Sequence, residues 1–358
     1  MGPEAGSRKG KSKGNKTAHL LLSDRQERIL ELVILDYIRG AAPIASESLG
    51  HRHNLGVSPA TIRNDMADLE EKGYLMAPHT SAGRVPSEQG YRYYVESLME
   101  EVELAVSERN MIRHQFHQSR MDVGEWSQLA AAMLSKMVRN MGLVTLPKLV
   151  KCRLKHVRLV AVQESIALSI IVLQEAKVKQ QLLSFSEAVS QDELDVISNR
   201  LSALYKGLTA AEISGKESSL SPLEETVRDA VVQGMEAEDQ REYPEPQFDG
   251  LRHLLTQPEF ASNLRVRSII EALEDKRLWH AILPHILASE GVRVVIGGES
   301  HDDAIRDCSV VLTRYGIPGE AEGALAVIGP TRMEYGRTVS AVRYLSSLME
   351  ELLIELEG

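Results

Sequence analysis

Leu55–Ser87, "LGVSPATIRNDMADLEEKGYLMAPHTSAGRVPS", holds a helix start, a short helix and a turn-rich arm. Ser58 is a helix cap, Pro59 suits the first turn, and Gly73 lies just past the end. At 100° per residue, Ile62, Met66 and Leu69 fall within about 60° of one another and form a buried stripe. Ala60, Asn64 and Ala67 point the opposite way, flanked by Thr61 and Arg63. Small residues let a helix approach the floor of a major groove. There Asn matches the adenine edge and Arg the guanine edge, while Ser58 and the helix N-terminus can hold a phosphate. The plainer alternative is a small helical domain whose polar face is merely solvated.

The flanking residues favour a reader. "SDRQ", Ser23–Gln26, makes a capping box, and Ile29, Leu30, Val33, Ile34 and Tyr37 follow at helical spacing up to Gly40. Pro43 and Ser46 introduce a second helix, "SESLGHRH", which stops near Asn54-Leu55-Gly56. Two short helices joined by a Gly-containing turn are a helix-turn-helix, the second being the reader. "YLMAPHTSAGRVPS" reads as strand, turn and strand. This arm would be a wing, with Arg84 near its tip or far side reaching towards a minor groove or phosphate. A long helix, roughly 88–119, leads out of the unit.

At 358 residues the chain is long enough for two or three domains. Its net charge of −10 argues against a nucleic-acid partner, but the charge is uneven. Residues 1–95 carry 13 Lys/Arg against 11 Asp/Glu, and the remainder 28 against 40. A mildly basic head on an acidic body permits DNA binding, since local field outweighs the total. "GSRKGKSKGNK" near the N-terminus is basic and lacks the apolar core of a secretory signal, so residues 1–20 read as a disordered tail. No apolar run is long enough to span a bilayer. Cys152 and Cys308 are far apart and without CxxC spacing, which disfavours disulfides and cysteine zinc sites and fits a cytoplasmic protein.

Beyond the head, "WSQLAAAMLSKMVRNM" is a helix and "GLVTL" a strand. "HVRLVAVQ", "IALSIIVLQ" and "KVKQQLLSF" are consecutive strands. Helices and an acidic loop fill the middle. Strands "VRVVIGG", "CSVVLTRY" and "GALAVIG" precede a terminal helix. His51/His53, His114/His117 and His280/His285 have no metal-site pattern around them, and no HExxH, phosphate-binding or GxSxG motif occurs. No enzyme activity, cofactor or metal is expected. "IGGES" reads as a tight turn rather than a phosphate loop. The tyrosines of "GYRYYVESLM" read as cover for the head's core rather than a base-stacking platform. "RMEYGR" reads as helix capping and ion pairing within the C-terminal domain.

"VSPATIRNDMADLEEKGYL" followed by "PHTSAGRVPSEQGYRYYV" resembles the HrcA family of heat-inducible transcription repressors. "LLTQPEF", "VVIGGE" and "ALAVIGPTRMEYGR" resemble its later segments, so the likeness runs from about Leu21 to Leu356. The helix alone also resembles DeoR-type, sugar-responsive repressors; the arm and the "GPTRMEY" run favour HrcA. The resemblance implies an α+β multidomain fold: a winged helix-turn-helix at 21–95, a linking helix at 96–124, and a GAF-like domain. That domain would occupy 125–185 and 263–358 and carry an inserted dimerisation domain at 186–262. It further implies a homodimer that binds double-stranded DNA at the CIRCE inverted repeat ahead of chaperone operons, with activity supported by the chaperonin and lost on heat shock. The DNA-binding residues expected are Ser58, Thr61, Arg63 and Asn64 in the helix, with His79, Thr80 and Arg84 in the arm.

Overall fold

The computed structural model describes residues 22–79, 83–119, 123–149, 151–174, 177–239, 246–288, 291–300, 305–317 and 321–357. It begins with α1 Asp24–Gly40, α2 Ser46–His53 and α3 Pro59–Glu71, then a short antiparallel hairpin of β1 Leu75–Met76 and β2 Val85–Pro86. The capping box of α1 forms as the sequence predicts. The Gln26 amide donates to Ser23 Oγ at 3.3 Å and the Ser23 amide donates to Gln26 Oε1 at 3.2 Å. Ala41 and Asn54, both left-handed, end α1 and α2. Ile62, Met66 and Leu69 are buried in a core shared with Ile29, Leu30 and Val33 of α1.

α4 Glu88–Tyr93 follows, then a π-helical turn over Tyr94–Leu98, and only at Val106–Gln118 does α5 begin. The single helix expected over 88–119 is therefore broken. Met99 and Ala105 have extended ψ angles of 127° and 143°. The intervening strap buries Leu104 and lays the Glu100 carbonyl on Gly336, where a Cβ would come within 2.7 Å. It also sends the Glu101 carboxylate to Arg343. Those tertiary contacts outweigh helix propensity in a segment with little apolar periodicity of its own.

The next elements are α6 Val123–Val138, β3 Met141–Val144 and β4 Lys148–Leu149. A meander comes next, β5 Leu154–Gln163, β6 Ile166–Leu173 and β7 Val178–Ser184, then helices α7 Gln191–Tyr205, α8 Ala210–Gly215 and α9 Pro222–Asp239. After β8 Gln247–Asp249 come α10 Leu251–Leu255, α11 Asn263–Glu274 and α12 Arg277–Leu287. The chain closes with β9 Arg293–Ile296, β10 Cys308–Ile317, β11 Ala321–Pro330 and α13 Tyr335–Glu357.

These strands form two separate sheets besides the head's hairpin. Strands β8-β3-β11-β10-β9 lie side by side in that order, all antiparallel, with β4 beside β11. Alternation splits the two long strands between two cores. Val311, Tyr315, Leu325 and Val327 pack with α6 and α13. Val310, Leu312, Ala324, Ala326 and Ile328 pack with Leu254, Ile269, Trp279 and Ile282 on the opposite face. The first of these cores runs on into the head without a break, through Tyr91, Tyr93, Tyr94, Met333 and Tyr335.

The meander β5-β6-β7 pairs with no strand of the larger sheet and shares a core with α7, α8 and α9, including Val157, Ile171, Leu201 and Val231. The boundary expected at 186 therefore cuts through one packed unit. The segment that interrupts the larger sheet lies between β4 and β8 rather than at 186–262. Residues 251–262, assigned to the insert from sequence, place Leu254 and Phe260 under the larger sheet instead.

Candidate nucleic-acid interface

α3 presents its N-terminal half to solvent. Ser58 Oγ accepts from the Thr61 amide at 3.2 Å and shares a hydrogen bond with the Thr61 hydroxyl at 3.0 Å. Ala60, Arg63, Asn64 and Ala67 are exposed, and Thr61 is half-buried beside them. No acidic residue lies in the first turn. The next carboxylate, Asp65, is turned inward and nearly buried, where Arg25 of α1 grips it by two hydrogen bonds of 2.7 and 3.0 Å. Donating these hydrogen bonds to Asp65 raises the Arg25 guanidinium above its ordinary range. Four of the expected residues, Ser58, Thr61, Arg63 and Asn64, thus share one helix end that a polyanion could approach without meeting an unpaired carboxylate.

The arm differs from expectation. His79 is exposed at the hairpin, and Thr80 lies outside the described residues. Arg84 is on the returning, far side, one of the two places expected, but it does not reach outward. Its amide donates to the Ile44 carbonyl at 2.9 Å, and its Nε donates to Glu70 of α3 at 2.7 Å. Gly83 makes this approach feasible, since a Cβ there would sit 2.4 Å from the Ile44 backbone. Arg84 therefore ties the arm to α3 instead of reaching outward. Arg25 escaped the sequence reading. Its signal was Asp65 itself, one position from the buried Met66 and needing a cation.

The other motifs resolve as structure. Tyr91, Tyr93 and Tyr94 are buried, as expected. The Gly297–Glu299 turn is tight, with Gly297 at φ 50°, and the Gly298 amide donates to Glu88 of α4 at 2.9 Å. "RMEYGR" does more than pair within its own domain. Arg332 binds Glu259 and donates to Gln257 Oε1 at 2.7 Å and to the Ile38 carbonyl of α1 at 3.0 Å. Arg337 donates to Glu108 at 2.7 Å and to the Met137 carbonyl at 3.1 Å. Tyr335, whose hydroxyl burial pushes far above its ordinary value, donates to the Thr331 carbonyl at 2.5 Å. Among the described residues no group of three or more His, Cys, Asp or Glu could hold a metal. None of the described helices is long and apolar enough to cross a membrane.

Residues 125–339 match the family described as "HrcA protein C terminal domain". The chain belongs to the HrcA family. A relative from Dehalococcoides mccartyi, named heat-inducible transcription repressor HrcA, is 45% identical over 94% of this chain and 98% of its own. Relatives of the same name from Roseiflexus castenholzii and Herpetosiphon aurantiacus are 43% and 40% identical, covering 94% and 95% of this chain and 96% and 98% of theirs. A crystal structure of a hypothetical protein matches with a TM-score of 0.56 at 24% identity, covering 93% of this chain and 98% of that one, and supports the fold. Four of the segments that resemble HrcA in sequence converge in space. "EQGYRYYV" meets "VVIGGE" through Glu88–Gly298 and through the ion pair of Arg92 with Glu299. "LLTQPEF" meets "GPTRMEYGR" through Arg332. They line the junction between the helical head and the larger sheet.

Proposed function

We propose that the chain is a heat-inducible transcription repressor whose head is a winged helix-turn-helix. In this reading α3 enters the major groove, with Arg63 and Asn64 on base edges and Ser58 and Thr61 on phosphate. His79 sits in the wing beside the duplex, and Arg84 holds the wing in place. The observation that carries it is the exposed N-terminal half of α3, whose one carboxylate is turned inward onto Arg25, displayed by a chain so similar to repressors over its length. The larger sheet with its helices would be the GAF-like body.

An inverted-repeat operator such as CIRCE needs two heads related by a two-fold axis. The meander supplies a surface for that. Its outer face carries Val160, Val178 and Leu182, exposed by 40, 52 and 66%, around half-buried Leu168, Ile170 and Val172. This largely apolar sheet face, interrupted by Arg158 and Gln180 beside Ile170, fits a second copy of the chain, and the homodimer would form there. Support by the chaperonin follows from the family reading and from the distant strand pairings of the body. The DeoR-type alternative rests on the α3 motif alone, whereas the HrcA likeness spans 94% of the chain. The test is a gel shift with a chaperonin-operon promoter against random DNA at equal salt. Equal affinity for the two would overturn the reading.

A further inference from the structure

The larger sheet ends at β9, which among the described residues pairs with β10 alone. Successive residues of an antiparallel strand turn their main-chain groups to opposite sides, so alternate residues of an end strand face outward. On β9 two such outward groups are held by side chains. The Val294 carbonyl accepts from Arg92 of α4 at 2.9 Å, and the Ile296 amide donates to Glu299 at 2.9 Å. Arg92 and Glu299 are themselves joined, Nε donating to Oε1 at 2.7 Å. This ion pair therefore lies along the open side of β9 and imitates a strand. A guanidinium N–H takes the place of a peptide N–H, and a carboxylate oxygen that of a peptide oxygen.

The strand needs such a closure. Val294 and Ile296 belong to the core shared with the head, and Val295 to the core on the opposite face. An end strand that is apolar on both faces is a template for pairing with another chain. Half of the plug is lent by the head, so the edge is closed only while the head sits on the body. Beside the plug runs a groove of about 660 Å³, lined among others by Arg92 and Val95 of the head and Val292 and Val294 of the body.

The spacing of the two outward groups names the occupant. A two-fold axis through Val295 sets Val294 of each copy opposite Ile296 of the other. Each Ile296 amide then meets the Val294 carbonyl of the other copy, and the edge satisfies itself. We propose that β9 is a latent self-pairing edge, plugged by Arg92 and Glu299, which pairs antiparallel with β9 of a second copy when heat lifts the head. Any effect of this pairing on operator binding rests on the repressor reading above; the pairing itself does not, and its test uses no DNA.

The test is oxidative cross-linking of the full-length Val295→Cys protein at graded temperatures below its thermal midpoint, read on a denaturing, non-reducing gel. Residues facing each other across such an axis have Cα atoms about 4.5 Å apart. That is within the roughly 4.4–6.8 Å a disulfide spans. The gel registers only linked pairs, so a dimer held by the meander does not score. The parent, whose Cys152 and Cys308 are buried, supplies the background. Val106→Cys, at a residue 62% exposed on α5, reports random collision. The expected result is a linked dimer of Val295→Cys that appears on heating. Adding Arg92→Ala should raise the linked fraction about fivefold or more at a given temperature. Arg332→Ala, which cuts the tie to Ile38 without touching β9, should act in the same direction. No linkage of Val295→Cys above the parent at any temperature would overturn the proposal. So would linkage that ignores both arginine substitutions, or Val106→Cys linking as readily as Val295→Cys, which would mean indiscriminate aggregation.

Discussion

The guanidinium of Arg332 donates to the main-chain oxygen of Ile38 at 3.0 Å, across 294 positions of sequence. It thereby ties the last turn of α1 to the turn that precedes α13. The carbonyls ending a helix lack intrahelical donors and carry partial negative charge, so a cation is well placed there. Arg92–Glu299 and Glu88–Gly298 add two further ties between the head and the body.

Base reading should fall on α3. Arg63→Ala and Asn64→Ala are each expected to weaken operator binding by about 1–3 kcal/mol and to relax base preference. Arg84→Ala, which breaks a half-exposed ion pair with Glu70, should cost about 0–1 kcal/mol of stability and weaken all sequences evenly. Fluorescence anisotropy on operator and mutated operator reads both effects. Folded Arg63→Ala and Asn64→Ala proteins with parental affinity would remove α3 from the groove.

Assembly should fall on the meander. Leu182→Glu and Ile170→Glu place charges on its outer face without touching its core, so both proteins should fold. Sedimentation is expected to show monomers where the parent is a dimer, and operator binding should drop with them. Dimers that survive both substitutions would move the two-fold axis elsewhere.

Acid should loosen the start of α5 from α13. The hydrogen bond from Arg337 holds the Glu108 carboxyl below its ordinary range. Its contribution to stability is present above the unfolded value, about 4.3, and is lost as pH falls through the lower, folded one. Thermal midpoints of the parent should therefore exceed those of Glu108→Gln at neutral pH and converge with them below about pH 4. A gap that stays constant down to pH 3 would contradict the pairing.

Pairings such as Leu143 with Ala326 join strands far apart in sequence, which slows folding and leaves apolar edges open meanwhile. The fraction of purified protein able to bind operator, counted by stoichiometric gel shift, should rise on adding chaperonin and fall when an unfolded competitor occupies it. An active fraction near complete without chaperonin, and indifferent to competitor, would favour direct heat-unfolding of the repressor.

The head was legible because its signals are local. Caps at Ser23 and Ser58 and the Ile62–Met66–Leu69 stripe need no knowledge of the remaining chain. The break after Leu98 was not legible, because it is imposed by Gly336 and Arg343 from the far end of the sequence. Nor was the division between sheets. "IALSIIVL" is apolar on both faces and so reads like a strand sandwiched in a large core, the environment that β11 has. In the fold only Ala167, Ser169, Ile171 and Leu173 are buried, and the alternate residues form the outer face used above. A residue kept apolar for a partner subunit is indistinguishable in sequence from one kept apolar for the core. In the proposed DNA interface, the type and outward direction of Arg63 and Asn64 could be read, whereas the partner of Arg84 could not, since it depends on how closely Gly83 lies against Ile44.

The inserted unit begins and ends at nearly the same point. The Cys152 amide donates to Asp239 Oδ1 at 2.8 Å, and Lys148 Nζ donates to the Asp239 carbonyl at 2.7 Å. Once the meander and its helices have formed, roughly a hundred residues of chain act as a clip whose two jaws lie together. Bringing β8 beside β3 then no longer requires a flexible loop of that length to close, a saving of chain entropy on the order of 4 kcal/mol. On the ribosome this unit is complete before β9, β10 and β11 have been made. Strand β3 therefore waits for β11 during synthesis of about 180 further residues, some 10–40 s at about 5–20 residues per second. During that interval the clip can seat β8 along one side of β3, leaving the other side as the edge that needs protection.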